Sequence, residues 1–148
     1  MEKKIKAFLD SNVLFSIAYT GKDKSRSFLI YEIQGRGVLK VYLSNLVCEE
    51  ALYNIRRKKP ESEKLLKELI AGSKILEDII SNMSTPSLAA LPRNDQIILS
   101  TAVYHKMDVF VTGNEKDFKN LYGKRVLGTL VLRPAEFLLK SEKKEEGN

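Results

Sequence analysis

Hydrophobic and polar positions along this chain switch between the period of a strand and that of a helix. Ile5-Lys6-Ala7-Phe8-Leu9 is a short apolar run ending at Asp10 and reads as a strand, followed by a polar stretch around Gly21 to Lys24 and helical spacing over Ser25 to Gln34. Gly35 and Gly37 stop that helix. Val38 to Leu43, rich in β-branched and aromatic residues, reads as a second strand, and a helix from Asn45 to Pro60 carries Glu50. From Glu61 to Ala71 the pattern is again helical, with Leu65, Leu66, Leu69 and Ile70 on one face and Gly72 closing it. A weaker helical segment spans Ile75 to Ile80, and Met83 to Pro92 has the Ser, Thr and Pro content of a loop. Asn94 to Lys106 reads as a helix, Val109-Phe110-Val111 as a buried strand, Glu115 to Tyr122 as a short helix, Thr129-Leu130-Val131 as a strand and Arg133 to Lys140 as a closing helix. Short strands alternating with helices predict an α/β fold, a central parallel sheet flanked by helices. No repeat or long linker divides the chain, so residues 1–140 are expected to form one domain, followed by a charged, disordered tail over 141–148.

Length and composition agree with that reading. The chain has 148 residues, and a domain of this size buries roughly 68–70% of its unfolded surface, enough for a real core. It is 43% hydrophobic and 30% charged with eight Gly and four Pro, which is ordinary globular composition. The single Cys, Cys48, excludes an intramolecular disulfide and a cysteine zinc cluster, and with no His or Cys at ligand spacing it reads as packing. No apolar stretch reaches the roughly 20 residues needed to span a bilayer, and the run after Met1-Glu2-Lys3-Lys4 is too short for a signal peptide; a cytoplasmic protein without a membrane partner is expected. The net charge of +6 favours polyanionic partners.

The positions of four acids carry the most chemistry. Asp10, Glu50, Asp95 and Asp117 each sit at or just beyond the end of a short apolar run. Carboxylates placed after different strands of a parallel sheet converge at its carboxyl edge, where open α/β folds place their ligands. The pocket so formed would be lined by oxygen and suited to Mg²⁺ or Mn²⁺. Each acid also has a plainer reading. Asp95 follows Asn94 at a helix start, where a carboxylate suits the helix dipole, Asp117 lies three residues after Asn114 as in a capping pair, and Glu50 could be a solvated helix residue. Asp10 resists such a reading, because an Asp directly after an apolar strand seldom serves packing.

These residues resemble a known family, the PIN-domain ribonucleases, and within it the toxin component of VapBC-type toxin–antitoxin pairs. Leu9-Asp10-Ser11-Asn12-Val13-Leu14 is similar to the family's opening Asp-x-Asn motif, and Ser44 to Leu52 to its second-strand Ser followed by a Glu on a helix. Asp95 to Ala102, then Asp108-Val109-Phe110-Val111-Thr112-Gly113-Asn114-Glu115-Lys116-Asp117-Phe118, resembles its Asp-led helix, buried strand and Thr-x-Asn-x-x-Asp-Phe signature in order and spacing. The resemblance implies a metal-dependent endoribonuclease with RNA as substrate, Asp10 and Asp95 as main metal ligands, and Glu50 and Asp117 completing the cluster directly or through water. Asn12 and Thr112 would orient ligands or water. Asn114 stands where many relatives carry Asp and would offer a neutral amide oxygen, which leaves the number of metals, one or two, open. Spacing from Ser44 favours Glu50 over Glu49, which points about 100° away on the helix. The resemblance further implies a small antitoxin partner and a homodimer, with the Leu65 to Ile70 face either at that contact or over the core.

Other features divide the readings. Arg56-Arg57-Lys58-Lys59, continued by Lys64 and Lys67, would either guide an RNA backbone or form a solvated helix face, and Lys22, Lys24 and Arg26 follow Asp10 closely enough to touch phosphate. His105, the sole histidine, ends its helix and suits the dipole. An RNA-processing or quality-control nuclease without an antitoxin, and a catalytically silent nucleic-acid or protein-binding module, remain as alternatives. A phosphatase with an Asp-x-Asp loop does not fit, since Asn12 has no proton to give a leaving group.

Overall fold

The computed structural model, which describes residues 3–80 and 85–147, places β1 (Ile5–Leu9) at the heart of a six-stranded sheet. The chain then runs through α1 (Ser11–Thr20), a 3-10 turn (Arg26–Phe28), α2 (Leu29–Gly35), β2 (Leu39–Ser44), α3 (Asn45–Lys58), a second 3-10 turn (Pro60–Ser62), α4 (Glu63–Ala71) and β3 (Lys74–Leu76). It continues through α5 (Pro86–Ala89), α6 (Arg93–Tyr104), β4 (Val109–Val111), α7 (Glu115–Phe118), β5 (Arg125–Val126), β6 (Thr129–Leu132) and α8 (Pro134–Glu146). Strand order is β3-β2-β1-β4-β6-β5, parallel throughout except for β5, which pairs antiparallel with β6 at one edge. The α/β architecture expected from the alternating periods is therefore present, with a mixed rather than wholly parallel sheet.

This order has a functional consequence. The chain builds β1, β2 and β3 outward in one direction, then returns to lay β4 and β6 on the other side of β1. The reversal lies between β1 and β4, whose last residues Leu9 and Val111 are directly paired. Asp10 and Thr112 leave the sheet side by side there, at the kind of crevice where open α/β sheets bind ligands.

Burial fixes that edge. Phe8 and Phe110 are opposite each other on β1 and β4, with ring centroids 6.0 Å apart, and Phe118 of α7 packs 5.3 Å from Phe110. All three rings are fully buried. Such aromatic contacts add about 0.5–1.5 kcal/mol each beyond area burial and clamp the strand ends below the acids. The stripe on α4 belongs to the same core: Leu66 and Leu69 are buried, and Leu65 and Ile70 pack against them. That face covers the chain's own core.

Several boundaries differ from the sequence reading. The helical spacing seen over Ile75 to Ile80 is not realised: Lys74–Leu76 extends the sheet beside Tyr42–Ser44, and Asp78 accepts from the backbone N of Leu46 at 3.1 Å, capping the start of α3. The segment Ser11–Thr20, unassigned by periodicity, is α1, begun by the Asp10 side chain as cap. The helix expected to reach Tyr122 ends at Phe118, because the chain turns through Gly123 (φ 79°), whose N–H bonds to Val131 O. Helix α8 continues past residue 140 to Glu146, held by Ser141 Oγ donating to Phe137 O, by Arg36 with Glu145 and by Lys144 with the carbonyl of Lys3. Of the loop read over Met83 to Pro92, residues 83 and 84 lie outside the described residues, and the rest contains α5. Among the described residues no helix is long and apolar enough to cross a membrane.

Candidate active site

Asp10 is the N-cap of α1, with extended backbone (φ −72°, ψ 159°) and only 2% exposure. One carboxylate oxygen, Oδ1, accepts from Ser11 N at 2.8 Å; the other, Oδ2, accepts from Asn12 Nδ2 at 2.9 Å and Thr112 Oγ1 at 2.8 Å. Thr112, wholly buried, also accepts from Asn114 N and from Asn12 Nδ2, and its carbonyl receives Tyr122 Oη at 2.9 Å. Asn12 reaches across to β4, its Oδ1 accepting from Gly113 N at 2.7 Å. A Cβ at position 113 would lie 3.2 Å from that oxygen, so glycine permits the close approach that ties α1 to the end of β4.

The remaining acids surround this knot. Glu50 projects from the second turn of α3, where Ser11 Oγ donates to its Oε1 at 2.8 Å and Asn94 Nδ2 to its Oε2 at 2.9 Å. Glu49, the neighbouring residue, is exposed and makes neither bond. Asp95 lies in the first turn of α6, where its carboxyl feels the charge of Asp117. Asp117 is further held by Asn114, whose Nδ2 donates to its Oδ2 at 2.9 Å and whose Oδ1 caps its N–H. Ser11 and Asn94 thus orient Glu50 although the sequence reading gave them no role; their positions beside Asp10 and Asp95 were the only signal.

Electrostatics show how crowded the acids are. Burial, opposed by the hydrogen bonds from Thr112 and Ser11, pushes the Asp10 carboxyl up to about 6, with the charge of Glu50 adding to the rise. Burial, then the charges of Asp10 and Asp117, hydrogen bonding with Asp117 and the charge of Glu50, lift Asp95 to about 7. Among the described residues, none of the four acids forms a salt bridge with Lys or Arg. The site has all-oxygen donors, negative charge and no counter-ion, which fits a hard divalent cation. Yet no three of the described Asp, Glu, His or Cys side chains are gathered tightly enough to enclose a metal. In this metal-free arrangement Asp10, Glu50 and Asp117 are each turned toward neutral hydrogen-bond donors.

Thr112→Val provides a direct check of this knot. Losing the hydroxyl removes a donor to a buried carboxylate and an acceptor for Asn114 N, with an expected cost of about 1–3 kcal/mol in urea unfolding. Because the hydroxyl lowers the Asp10 pKa, titration of the Asp10 carboxyl followed by NMR should move further up in the variant.

The basic run on α3 is largely engaged within the chain. Arg56 pairs with Glu63 at 2.7 Å, Arg57 lies over the Tyr53 ring, Lys58 over Phe15, and Lys59 over Tyr19, whose carbonyl it also bonds at 2.8 Å. Lys22 likewise pairs with Glu68. His105, at the C-terminal end of α6, bonds the carbonyl of Glu77. Burial and the nearby Asp78 and Glu49 charges push the half-buried Cys48 thiol up to about 11, which keeps it protonated and unreactive.

A family model described as PIN domain matches residues 7–124, which include all four acids. No curated protein sequence matches the chain. Among solved structures, VapBC2 from Rickettsia felis bound to a DNA fragment from their promoter superposes with a TM-score of 0.60 at 16% identity, over 87% of this chain and 98% of that one. PAE2754 from Pyrobaculum aerophilum gives 0.61 at 17% identity, over 95% of this chain and 99% of that one. At these identities the likeness is one of fold.

Proposed function

The chain belongs to the PIN-domain family, and from that premise we propose that it is a metal-dependent endoribonuclease that hydrolyses RNA phosphodiester bonds through Asp10, Asp95, Glu50 and Asp117. The observation that carries this reading is Asp10, a buried carboxylate at the sheet's switch point, held by neutral donors and exposed to the fields of Glu50 and Asp95 without a counter-ion. A Mg²⁺ or Mn²⁺ held by Asp10 and Asp95, with Glu50 and Asp117 directly or through water, would supply an activated water and positive charge against the phosphate. The chain's own residues then do the positioning. Thr112 and Asn12 fix the Asp10 carboxylate, Ser11 and Asn94 fix that of Glu50, and Asn114 fixes that of Asp117. A cation loaded near neutral pH would compete with the proton that burial and the neighbouring carboxylates favour on Asp95.

The test is cleavage of a panel of structured and single-stranded RNAs by wild type and Asp10→Asn, with Mg²⁺, Mn²⁺ or EDTA and circular dichroism as fold control. Cutting by wild type with metal, lost with EDTA and in the variant, is expected. A folded wild type that binds neither metal nor cuts any RNA would overturn the reading. It would favour a silent binding module, for which the ungathered carboxylates and the neutral Asn114 speak.

The fold it shares with VapBC2 supports a role as a toxin neutralised by a small antitoxin. Expression should then arrest growth, and co-expression of a neighbouring small open reading frame should relieve the arrest. Growth unaffected by an active nuclease would point instead to RNA processing or quality control.

A further inference from the structure

One turn of α3 beyond Glu50, the chain exposes a large aromatic side chain that its fold does not use. Helix α3 packs on the core through Val47, Ala51 and Ile55, whereas Tyr53 is 60% exposed. Arg57, the next turn on, sits with its guanidinium 5.1 Å from the Tyr53 ring centroid and its Nη1 3.4 Å from the phenol oxygen. A groove of about 550 Å³ opens beside this pair, lined by Leu46, Glu49, Glu50, Tyr53, Asn54 and Asn94. It is continuous with the acidic site, because Glu50 and its partner Asn94 form its wall.

We propose that this groove is a subsite for one unpaired nucleotide of a single-stranded RNA, with the base stacked on Tyr53; naming RNA as the ligand rests on the ribonuclease reading above. The chemistry selects a base and not a phosphate. Glu49 and Glu50 make the near wall negative, which repels a phosphate but tolerates an uncharged ring. Arg57 stiffens the aromatic platform and places a cation where the sugar-phosphate chain leaves the groove. The amides of Asn54 and Asn94 offer hydrogen-bonding groups toward the base edge. A base inside a duplex has no free face to stack, so the subsite admits single strands and loops.

The chain contains no tryptophan, so Tyr53→Trp places a sole reporter on the platform. In an Asp95→Asn background, to prevent cleavage, titration with a short oligoadenylate should quench that fluorescence to saturation. By anisotropy of the labelled oligomer, Tyr53→Ala should bind about tenfold more weakly, as expected for one stacked base, while Tyr53→Phe binds as the parent does. The same sequence in a duplex should bind less tightly to the parent and show no difference between the parent and Tyr53→Ala. Equal affinity of parent and Tyr53→Ala for the single strand, no quenching, or quenching caused by protein concentration alone through self-association would each overturn the subsite. These outcomes are separable from the nuclease reading, which is tested on metal binding and cleavage by wild type. Binding by the Asp95→Asn chain reports on Tyr53 whether or not wild type cleaves.

Discussion

Asp95→Asn should slow metal-dependent cleavage by on the order of 10²–10³-fold and at the same time make the metal-free protein more stable at pH 8. The two signs follow from one arrangement. In the absence of metal, Asp95 is pushed up to about 7 by burial and by the charges of Asp10, Asp117 and Glu50, so at pH 8 the folded chain holds it ionised against repulsion. An Asn of the same shape carries no charge, so it removes that repulsion from Asp10, Asp117 and Glu50. Because Asp95 is only half-buried, solvent screening reduces the gain to about 1–2 kcal/mol, or roughly 2–8 °C in Tm for a chain of this size. Cleavage moves the other way. A neutral amide is a poor ligand for a hard cation and cannot offset its charge, and loss of a preorganised electrostatic group of this kind costs on the order of 10²–10³-fold in rate. Thermal melts with EDTA at pH 8, beside RNA cleavage with Mn²⁺, measure both. A variant that is less stable than wild type and still cuts would show that Asp95 is a structural helix-start residue and nothing more.

That plainer reading could not be dismissed on sequence alone, and the reason is physical. An acid in the first turn of a helix has the same local signature whether it serves the dipole or a site, and what separates the two is what faces it from other elements. For Asp95 those neighbours are Asp10, Glu50 and Asp117, more than forty residues away at two of the three positions. The convergence itself was legible, because each acid follows an apolar run and the strand order brings the ends of β1 and β4 together. What was not legible depended on tertiary partners. β3 is a three-residue edge strand whose apolar spacing also suits a helix, and only its pairing with β2 decides the matter. The polarity of residues 141–146 concealed a helix held by Arg36, Phe137 and Lys3. Arg56 to Lys59 form an unbroken basic run in sequence, yet on α3 they meet Glu63, Tyr53, Phe15 and Tyr19 in turn. Cations and aromatics are thus interleaved on this surface in space, although not along the chain.

The same carboxylates predict an unusual pH dependence for the metal-free protein: it should melt at a higher temperature at pH 5.5 than at pH 8. Asp10 at about 6 and Asp95 at about 7 both lie above their ordinary value of 3.8. The folded state therefore binds protons more tightly than the unfolded state. The stability these two groups contribute is fully present below about pH 4 and is lost as pH rises through 6 to 7. Glu63, Glu115 and Glu145 act in the opposite sense, since Arg56, Arg133 and Arg36 hold their carboxyls low, with Glu63 at about 2. Their contribution is lost only as pH falls below the ordinary glutamate range, so comparing pH 5.5 with pH 8 isolates the two aspartates. With full weight on buried Asp10 and about half on solvent-facing Asp95, the difference is about 2 kcal/mol, or roughly 4–8 °C. A divalent cation that binds the ionised cluster should erase it, since ligand at 100 times its dissociation constant adds about 2.7 kcal/mol, and should do so at pH 8 far more than at pH 5.5, where protons compete for the same oxygens. Melting curves at both pH values with EDTA or MnCl₂ read the effect without RNA or turnover. An apo protein equally stable at the two pH values, or a cation that shifts neither melt, would mean that the four acids do not share one field and that the site is not built for metal.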